Sequence, residues 1–506
     1  MHISNIIDTL EIVNYAQKLK YCIILVFLSI CSYSCKDDKN HSDIGNGADS
    51  TAYEVSVDFN EILERGYFTA IVDNSSTGLF LYKGQPMGYE YELLDRFAKA
   101  HKLKLKIDVT PGLIEGFGKL RNGEGDILAY NLTVTKERTK KIAFTEHHKL
   151  VKLVLIQRKP DNWRNMKLHE IDREVIRDPV YLIDKEISVR NSTSYIDRLQ
   201  NLSEEIGADI KIKEESPNLD TEDLIEMVSE GTIDYTVAEE DIARVNSFYY
   251  PNLDVSTALS FSQRIAWGVR KSSPQLLDTL NSWIRSMKKQ VDYHVIHNKY
   301  FKSRRASIIR AKSDYSSIKG DQISPYDELI KEAAKEIGWD WKFLAAQIFK
   351  ESRFNKNAVS WAGAVGLMQL LPSTGEQYGY TDLTNPEVSL KAGIEHIKWI
   401  KKQWEDQIED EEEKKKFILA SYNIGQGHIQ DAYRLAEKYG EDPQKWDVVS
   451  KFLLRKSKPK YYNDPVVKFG YCKGIEPVNY VEVIFDLYEK YNLLTNPDAE
   501  NDPQPA

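Results

Sequence analysis

Glu351 closes a run, Asp340 to Phe349 (DWKFLAAQIF), that is apolar around most of a helical circumference. Such a run predicts a helix buried on most of its surface. Asn355, Asn357, Ser360 and Gly363 then predict irregular chain. Gly366 to Leu371 (GLMQLL) restarts the apolar pattern, and Pro372 is expected to end or turn it. A carboxylate at the rim of an apolar core is poorly solvated, which raises its pKa. A raised carboxyl pKa is what a general acid needs near neutral pH. Most helical glutamates sit on a solvated face, so the assignment of chemistry to Glu351 rests on the residues around it.

The elements that must position such a group are spread over a long chain. At 506 residues it exceeds one ordinary core, and two or three folded units are expected. A hydrophobic content of 42% and a charged content of 29% are those of a globular protein. The net charge of −9 argues against a nucleic-acid partner. From Glu54 to about Tyr300 short strands alternate with helices. Tyr67 to Val72 and Leu103 to Val109 have strand character, Gly88 to Ala100 reads as an amphipathic helix, and Gly125 to Asn131 as an apolar strand. This alternation implies an α/β domain with helix-covered sheets. Phe301 to Ile323 is basic and Ser-containing and reads as a connector. Ser324-Pro325 predicts the start of a helical domain reaching about Leu493, with Ser324 as an N-cap-like residue. Glu405 to Lys416 reads as a solvated charge run, and Thr495 to Ala506 as a disordered tail.

Three blocks carry a resemblance. Glu351-Ser352-Arg353-Phe354-Asn355, then Gly363-Ala364-Val365-Gly366-Leu367-Met368-Gln369 with Pro372-Ser373-Thr374, and then Ser421-Tyr422-Asn423-Ile424-Gly425-Gln426-Gly427 occur in that order. Together they resemble the soluble-lytic-transglycosylase family, whose fold is goose-type-lysozyme-like. Ser421 stands where alanine is usual. The resemblance implies a murein substrate, with Glu351 as the acid/base. It also implies that Tyr422 and Asn423 position the sugar or the glutamate, with Ser352 and Gln369 as second contacts. Met368 would line the groove, although core packing suits it equally.

The α/β half is similar to the type II periplasmic solute-binding family, amino-acid-binding branch. The residues that carry this are Gly88 to Leu93, Asn131 to Arg138, Ile142 to Thr145, Ile187 to Tyr195 and Gly231 to Glu239. Two lobes are implied, with the chain crossing near Gln157 and returning near Phe261. Thr133 and Arg138 match residues that hold an amino-acid carboxylate in that family. Arginine suits the task because its planar fork bonds both oxygens. Glu239 stands where an aspartate usually meets the amino group. The longer side chain shifts the expected ligand toward a murein peptide as well as a free amino acid.

At the N-terminus, Lys18 and Lys20 precede a short apolar run, Tyr21 to Ile30, followed by Ser34-Cys35-Lys36. The length suits a signal peptide, and the segment resembles a bacterial lipoprotein site with Cys35 acylated. An uncleaved anchor helix is the competing reading. No run of about 18 apolar residues occurs. With Cys22 and Cys31 removed and Cys35 lipidated, only Cys472 remains, and it is expected to be buried and inert. His294 and His297 are spaced to ligate a metal, but no Cys or third clustered His accompanies them, so solvated helix histidines are expected. His147-His148 matches no zinc motif, and neither a metal nor a cofactor is expected.

The expected organisation is therefore a signal peptide (1–35), a tether (36–52), a solute-binding-like regulatory domain (53–300), a linker (301–323), a catalytic domain (324–493) and a tail (494–506). In fold class this is an α/β two-lobed periplasmic-binding-protein-like domain followed by a mainly α lysozyme-like domain. The architecture is similar to the membrane-bound lytic murein transglycosylase F family. That resemblance implies cleavage of the MurNAc-β-1,4-GlcNAc bond with a 1,6-anhydro-MurNAc product. It also implies a lipid anchor at the outer membrane, on the periplasmic side. A lysozyme-type hydrolase, a murein-docked receptor and a nutrient-binding lipoprotein are the alternatives.

Overall fold

Successive side chains of the second strand in the first sheet enter cores on opposite faces. In Tyr67–Val72, Phe68, Ala70 and Val72 enter one core while Ile71 joins Leu120, Leu128 and Ile142 in another. The computed structural model describes residues 55–495 apart from 111, 192, 217–218, 304–305, 307–308, 311–312 and 318–321. The signal, Cys35 and nearly all of the tether and tail lie outside the described residues.

The first sheet runs in the order Lys104–Val109, Tyr67–Val72, Ile127–Leu128, Gly268–Val269, Ala143–Phe144. Its first three strands are parallel, and Gly268–Val269 is antiparallel to both its neighbours. The second sheet runs Lys211–Glu214, Glu186–Val189, Tyr235–Glu239, Leu153–Arg158, Leu253–Asp254. Leu153 and Leu155 face one core, Val154 and Ile156 the other. Between the two sheets Lys149–Val151 and Gln263–Ile265 form an antiparallel ribbon. The fold is thus the expected two-lobed α/β arrangement.

The strand expected over Gly125 to Asn131 is paired only at Ile127–Leu128. The outward crossing is earlier than expected: Gln157 already pairs with Tyr235 inside the second sheet. Hydrophobic patterning marks the strand but cannot say which sheet claims it. The return strand, Gln263–Ile265, begins just after Phe261.

The helical part begins with Asp327–Ile337 and ends with Ile475–Thr495. At its entry Ser324 is cap-like as expected, its hydroxyl oxygen accepting from the Tyr326 amide at 3.1 Å. Asp327 adds a second tie, accepting from the amides of Ile323 and Ser324 (both 2.8 Å) and from the Ser324 hydroxyl (2.6 Å). The carboxylate with three donors and the serine cap thus act together. Within the charge run Lys414 is buried and paired with Glu411 at 2.7 Å, so that face is not wholly solvated. Cys472 is buried as expected, and burial pushes its thiol pKa up.

The hairpin Phe80–Tyr82/Gln85–Met87 of the first lobe packs on the helical part. At its tip the Gly84 carbonyl accepts from the Tyr491 hydroxyl at 2.7 Å. Gly84 has φ +73°, and a side chain there would meet Phe349, Phe354 and Tyr491. Phe349 and Phe354 flank Glu351 in the chain. The first lobe therefore leans on the segment that carries the candidate acid.

Candidate active site

Asp340 caps the Glu351 helix, Trp341–Ser352, by accepting from the Lys342 amide at 2.8 Å. Phe343, Leu344, Ala345, Ala346 and Ile348 are all buried, as the apolar run predicts. The helix stops abruptly. Arg353 (φ 52°) and Phe354 (φ 59°) are successive left-handed residues without being glycine. Such residues cost energy and persist only where packing imposes them. Here the buried Phe354 ring holds the turn.

The returning loop is tied by bridges from Val365 to Val359 and to Leu370. The Gln369 amide donates to the carbonyls of Ala358 (3.0 Å) and Gly366 (2.9 Å), so it braces this loop from within. Gly366, at φ +83°, passes so close to the Leu383 carbonyl and the Ser389 hydroxyl that no side chain fits. Pro372 does not end a helix. It begins one, Pro372–Gln377, at the first-turn position where its missing N–H is harmless.

Glu351 sits partly exposed at the helix end, and its Oε1 accepts from the Tyr480 hydroxyl. Burial raises its pKa to about 7, while the Tyr480 hydrogen bond and the Lys350 charge pull the other way. Among the described residues, Lys350 carries the one charge that perturbs it, and no second carboxylate does. Tyr422 lies close enough for the Glu351 charge to raise its own pKa, together with burial. The Tyr422 hydroxyl donates to the Met368 carbonyl at 2.7 Å, which joins the second and third sequence blocks.

The expected site residues fall into three groups. Glu351 and Tyr422 come together, and Asn423 is exposed next to Tyr422. Met368 and Ser352 are buried. The Met368 side chain is core, packed where a Gly393 side chain would be, and only its carbonyl serves the site. The Ser352 hydroxyl donates back to the Ile348 carbonyl at 3.2 Å. Gln369 spends its amide N–H groups on the loop. Sequence reading missed Tyr480, 129 residues beyond Glu351 on the final helix. Its only signal is a polar-tipped aromatic inside an apolar helical run. Gln347, one turn before Glu351 and fully buried, lies against the same hydroxyl.

In the α/β half, the Arg138 guanidinium donates to the Thr133 carbonyl at 3.0 Å. Burial lowers its pKa and the Glu239 charge raises it, so the two groups sense each other from different lobes. Glu239 is buried at the end of its strand, and burial pushes it up to about 7. Its carboxylate already accepts from the Tyr195 hydroxyl. His297, expected to be solvated, packs instead among Tyr89, Tyr293 and Phe301, while His294 is exposed, and His148 is buried beside Glu90 and Trp267.

Fold and site together define a two-part chain: a two-lobed solute-binding-type domain joined to a helical domain of transglycosylase type. Residues 71–303 match the bacterial extracellular solute-binding proteins, family 3, and residues 328–445 match the Transglycosylase SLT domain. A membrane-bound lytic murein transglycosylase F from Desulfosudis oleivorans is 33% identical over 435 residues, spanning 85% of this chain and 90% of the relative. One from Pseudomonas fluorescens is 29% identical, spanning 87% and 88%. A crystal structure of a mutant of ArgBP from T. maritima is 23% identical over 48% of this chain and 99% of its own, with a TM-score of 0.39. The chain belongs to the membrane-bound lytic murein transglycosylase F family.

Proposed function

We propose that this chain is a peptidoglycan lytic transglycosylase in which Glu351 is both acid and base. The observation that carries the reading is the place of Glu351, at the end of a buried helix with the Tyr480 hydroxyl on its Oε1 and, among the described residues, no second carboxylate acting on it; burial pushes its pKa up to about 7. Glycosidases of the hydrolysing kind ordinarily pair two carboxylates across the scissile bond. With one, the nucleophile belongs to the sugar. Protonated Glu351 gives its proton to the glycosidic oxygen as the C1–O bond breaks. The resulting carboxylate, stabilised by the Tyr480 hydroxyl, then takes the proton of the muramyl C6 hydroxyl. The C6 oxygen closes on C1 to form the 1,6-anhydro ring. No water is consumed, and the enzyme is restored to its starting protonation.

The test is Glu351→Gln on purified murein, with mass analysis of the wild-type products. The variant is expected to lose at least ~100-fold in turnover while remaining folded. Near-native turnover removes the acid/base assignment. Reducing muramyl ends as the main product favour the lysozyme-type alternative.

The α/β domain (53–300) is proposed to be a ligand-responsive regulator joined by the linker (301–323) to the catalytic domain (324–493). Arg138 and Thr133 would hold the carboxylate of a murein peptide or amino acid, and Glu239 its amino group. In the same segment the buried amide of Asn131 has no partner among the described residues, which supports a polar ligand. The hairpin contact at Gly84 offers a direct route from the lobes to the Glu351 helix. Calorimetry of the whole chain with murein stem peptides checks this, with Arg138→Ala expected to weaken binding strongly. Absence of binding, or binding without effect on cleavage, leaves the domain a spacer. Anchoring is proposed through acylated Cys35 at the outer membrane, facing periplasmic murein. Cys35→Ser is then expected to move the protein to the soluble fraction.

A further inference from the structure

We propose that His396 and Trp399, on the helix Pro386–Trp404, form a sugar-stacking subsite that continues from Tyr422. The inference rests on the transglycosylase reading for its ligand, a pyranose ring of the murein glycan strand. Its geometry is independent of that reading.

An aromatic row leaves the acid. Glu351 and Tyr422 are electrostatic neighbours. The His396 ring lies 5.2 Å from that of Tyr422. The Trp399 ring lies 5.9 Å further on, within 6° of parallel to His396. Residues 396 and 399 are one helical turn apart, which places their rings on one face. The imidazole is not free to swing, because its Nδ1 is 3.2 Å from the Tyr378 hydroxyl. Burial lowers the His396 pKa to about 4, so at working pH the ring is neutral and the row carries no charge. Trp399 remains 46% exposed although its neighbours Ile397 and Ile400 are buried. The large indole is held parallel to a fixed ring and half open to water. What it offers is a flat apolar face with a negative π surface, which suits the axial C–H groups of a pyranose.

The occupant follows from continuity. A glycan strand with its scissile bond at Glu351 must continue over the residues on either side of the acid, and Tyr422 connects Glu351 to this row. A polymer that consists of pyranose rings presents such a face repeatedly. Neutrality of the row also fits an uncharged N-acetylated sugar better than a peptide carboxylate.

The experiment uses the full chain and two probes. Murein digestion gives kcat and KM for wild type, Trp399→Ala and Trp399→Phe. Calorimetry of each Trp399 substitution in a Glu351→Gln background gives affinity for tetra-N-acetylchitotetraose. Trp399→Ala is expected to raise KM about tenfold with kcat within about twofold, to weaken chitotetraose binding about tenfold, and Trp399→Phe to restore most of both. Unchanged KM and unchanged affinity overturn the subsite, and so does a fall in kcat alone. His396→Phe keeps a ring without the Tyr378 contact and is expected to lose affinity less than Trp399→Ala; a larger loss overturns the indole as the stacking face. Full turnover by Glu351→Gln defeats the acid/base reading instead, while a binding loss at Trp399 would still stand.

Discussion

Removing one hydroxyl, in Tyr480→Phe, is expected to move the alkaline limb of the pH profile upward. Tyr480 is buried, and burial holds its own pKa well above the ordinary phenol value, so it stays a neutral donor. It donates to Glu351 Oε1, which favours the carboxylate and holds the Glu351 pKa below where burial alone would put it. A hydrogen bond to a charged group contributes about 1.5–3 kcal/mol. At about 1.36 kcal/mol per pKa unit that is about one to two units. Partial exposure of Glu351 puts the effect at the lower end. The wild-type limb, set by a group titrating at about 7, is expected to rise by about one unit. The same lost donor leaves the carboxylate formed during catalysis less stabilised, so the plateau rate is expected to fall up to about tenfold. The assay is kcat/KM on purified murein between about pH 5 and 9.5, which reports the free enzyme's essential groups. A limb that stays near 7, or shifts to lower pH, refutes the role assigned to Tyr480.

Two further outcomes follow from buried charge. Glu351 is raised from 4.5 to about 7 in the fold, so between those values the native state binds more protons than the unfolded chain. Its contribution is therefore fully present below 4.5 and lost as pH rises through about 7. Glu351→Gln, which cannot ionise, is expected to gain about 1–3 kcal/mol on the wild type between pH 4.5 and 8, read by urea denaturation at the two pH values. An unchanged difference would mean that Glu351 is solvated. Asp431 and Lys456 are both fully buried and paired at 2.6 Å, and Asp431 also accepts from the amides of Lys468 and Phe469. Asp431→Ala strands the Lys456 charge and two amides, and is expected to cost about 3–5 kcal/mol in the same measurement.

The sequence by itself determined a good deal of this protein. The apolar circumference of Asp340 to Phe349 determined a buried helix, because helical period and burial are read from local pattern alone. Placing Glu351 at its end followed, as did a raised pKa, since desolvation depends on the company of apolar residues. The strand character of Tyr67 to Val72 likewise determined a strand there, and the structure buries its side chains on both faces. Tertiary structure decided what depends on chain segments far apart in sequence. Tyr480 reaches Glu351 across 129 positions, and no local period encodes that meeting. Met368 suited groove and core equally in the sequence and is core because Gly393 leaves room for it, with its carbonyl turned to Tyr422. Gln157 belongs to the second sheet because Tyr235 is there to pair with it. Local pattern fixes which residues are apolar and where helices run. Which side chain completes a site is settled only when the helices pack, because a hydrogen bond needs its partner within about 3 Å.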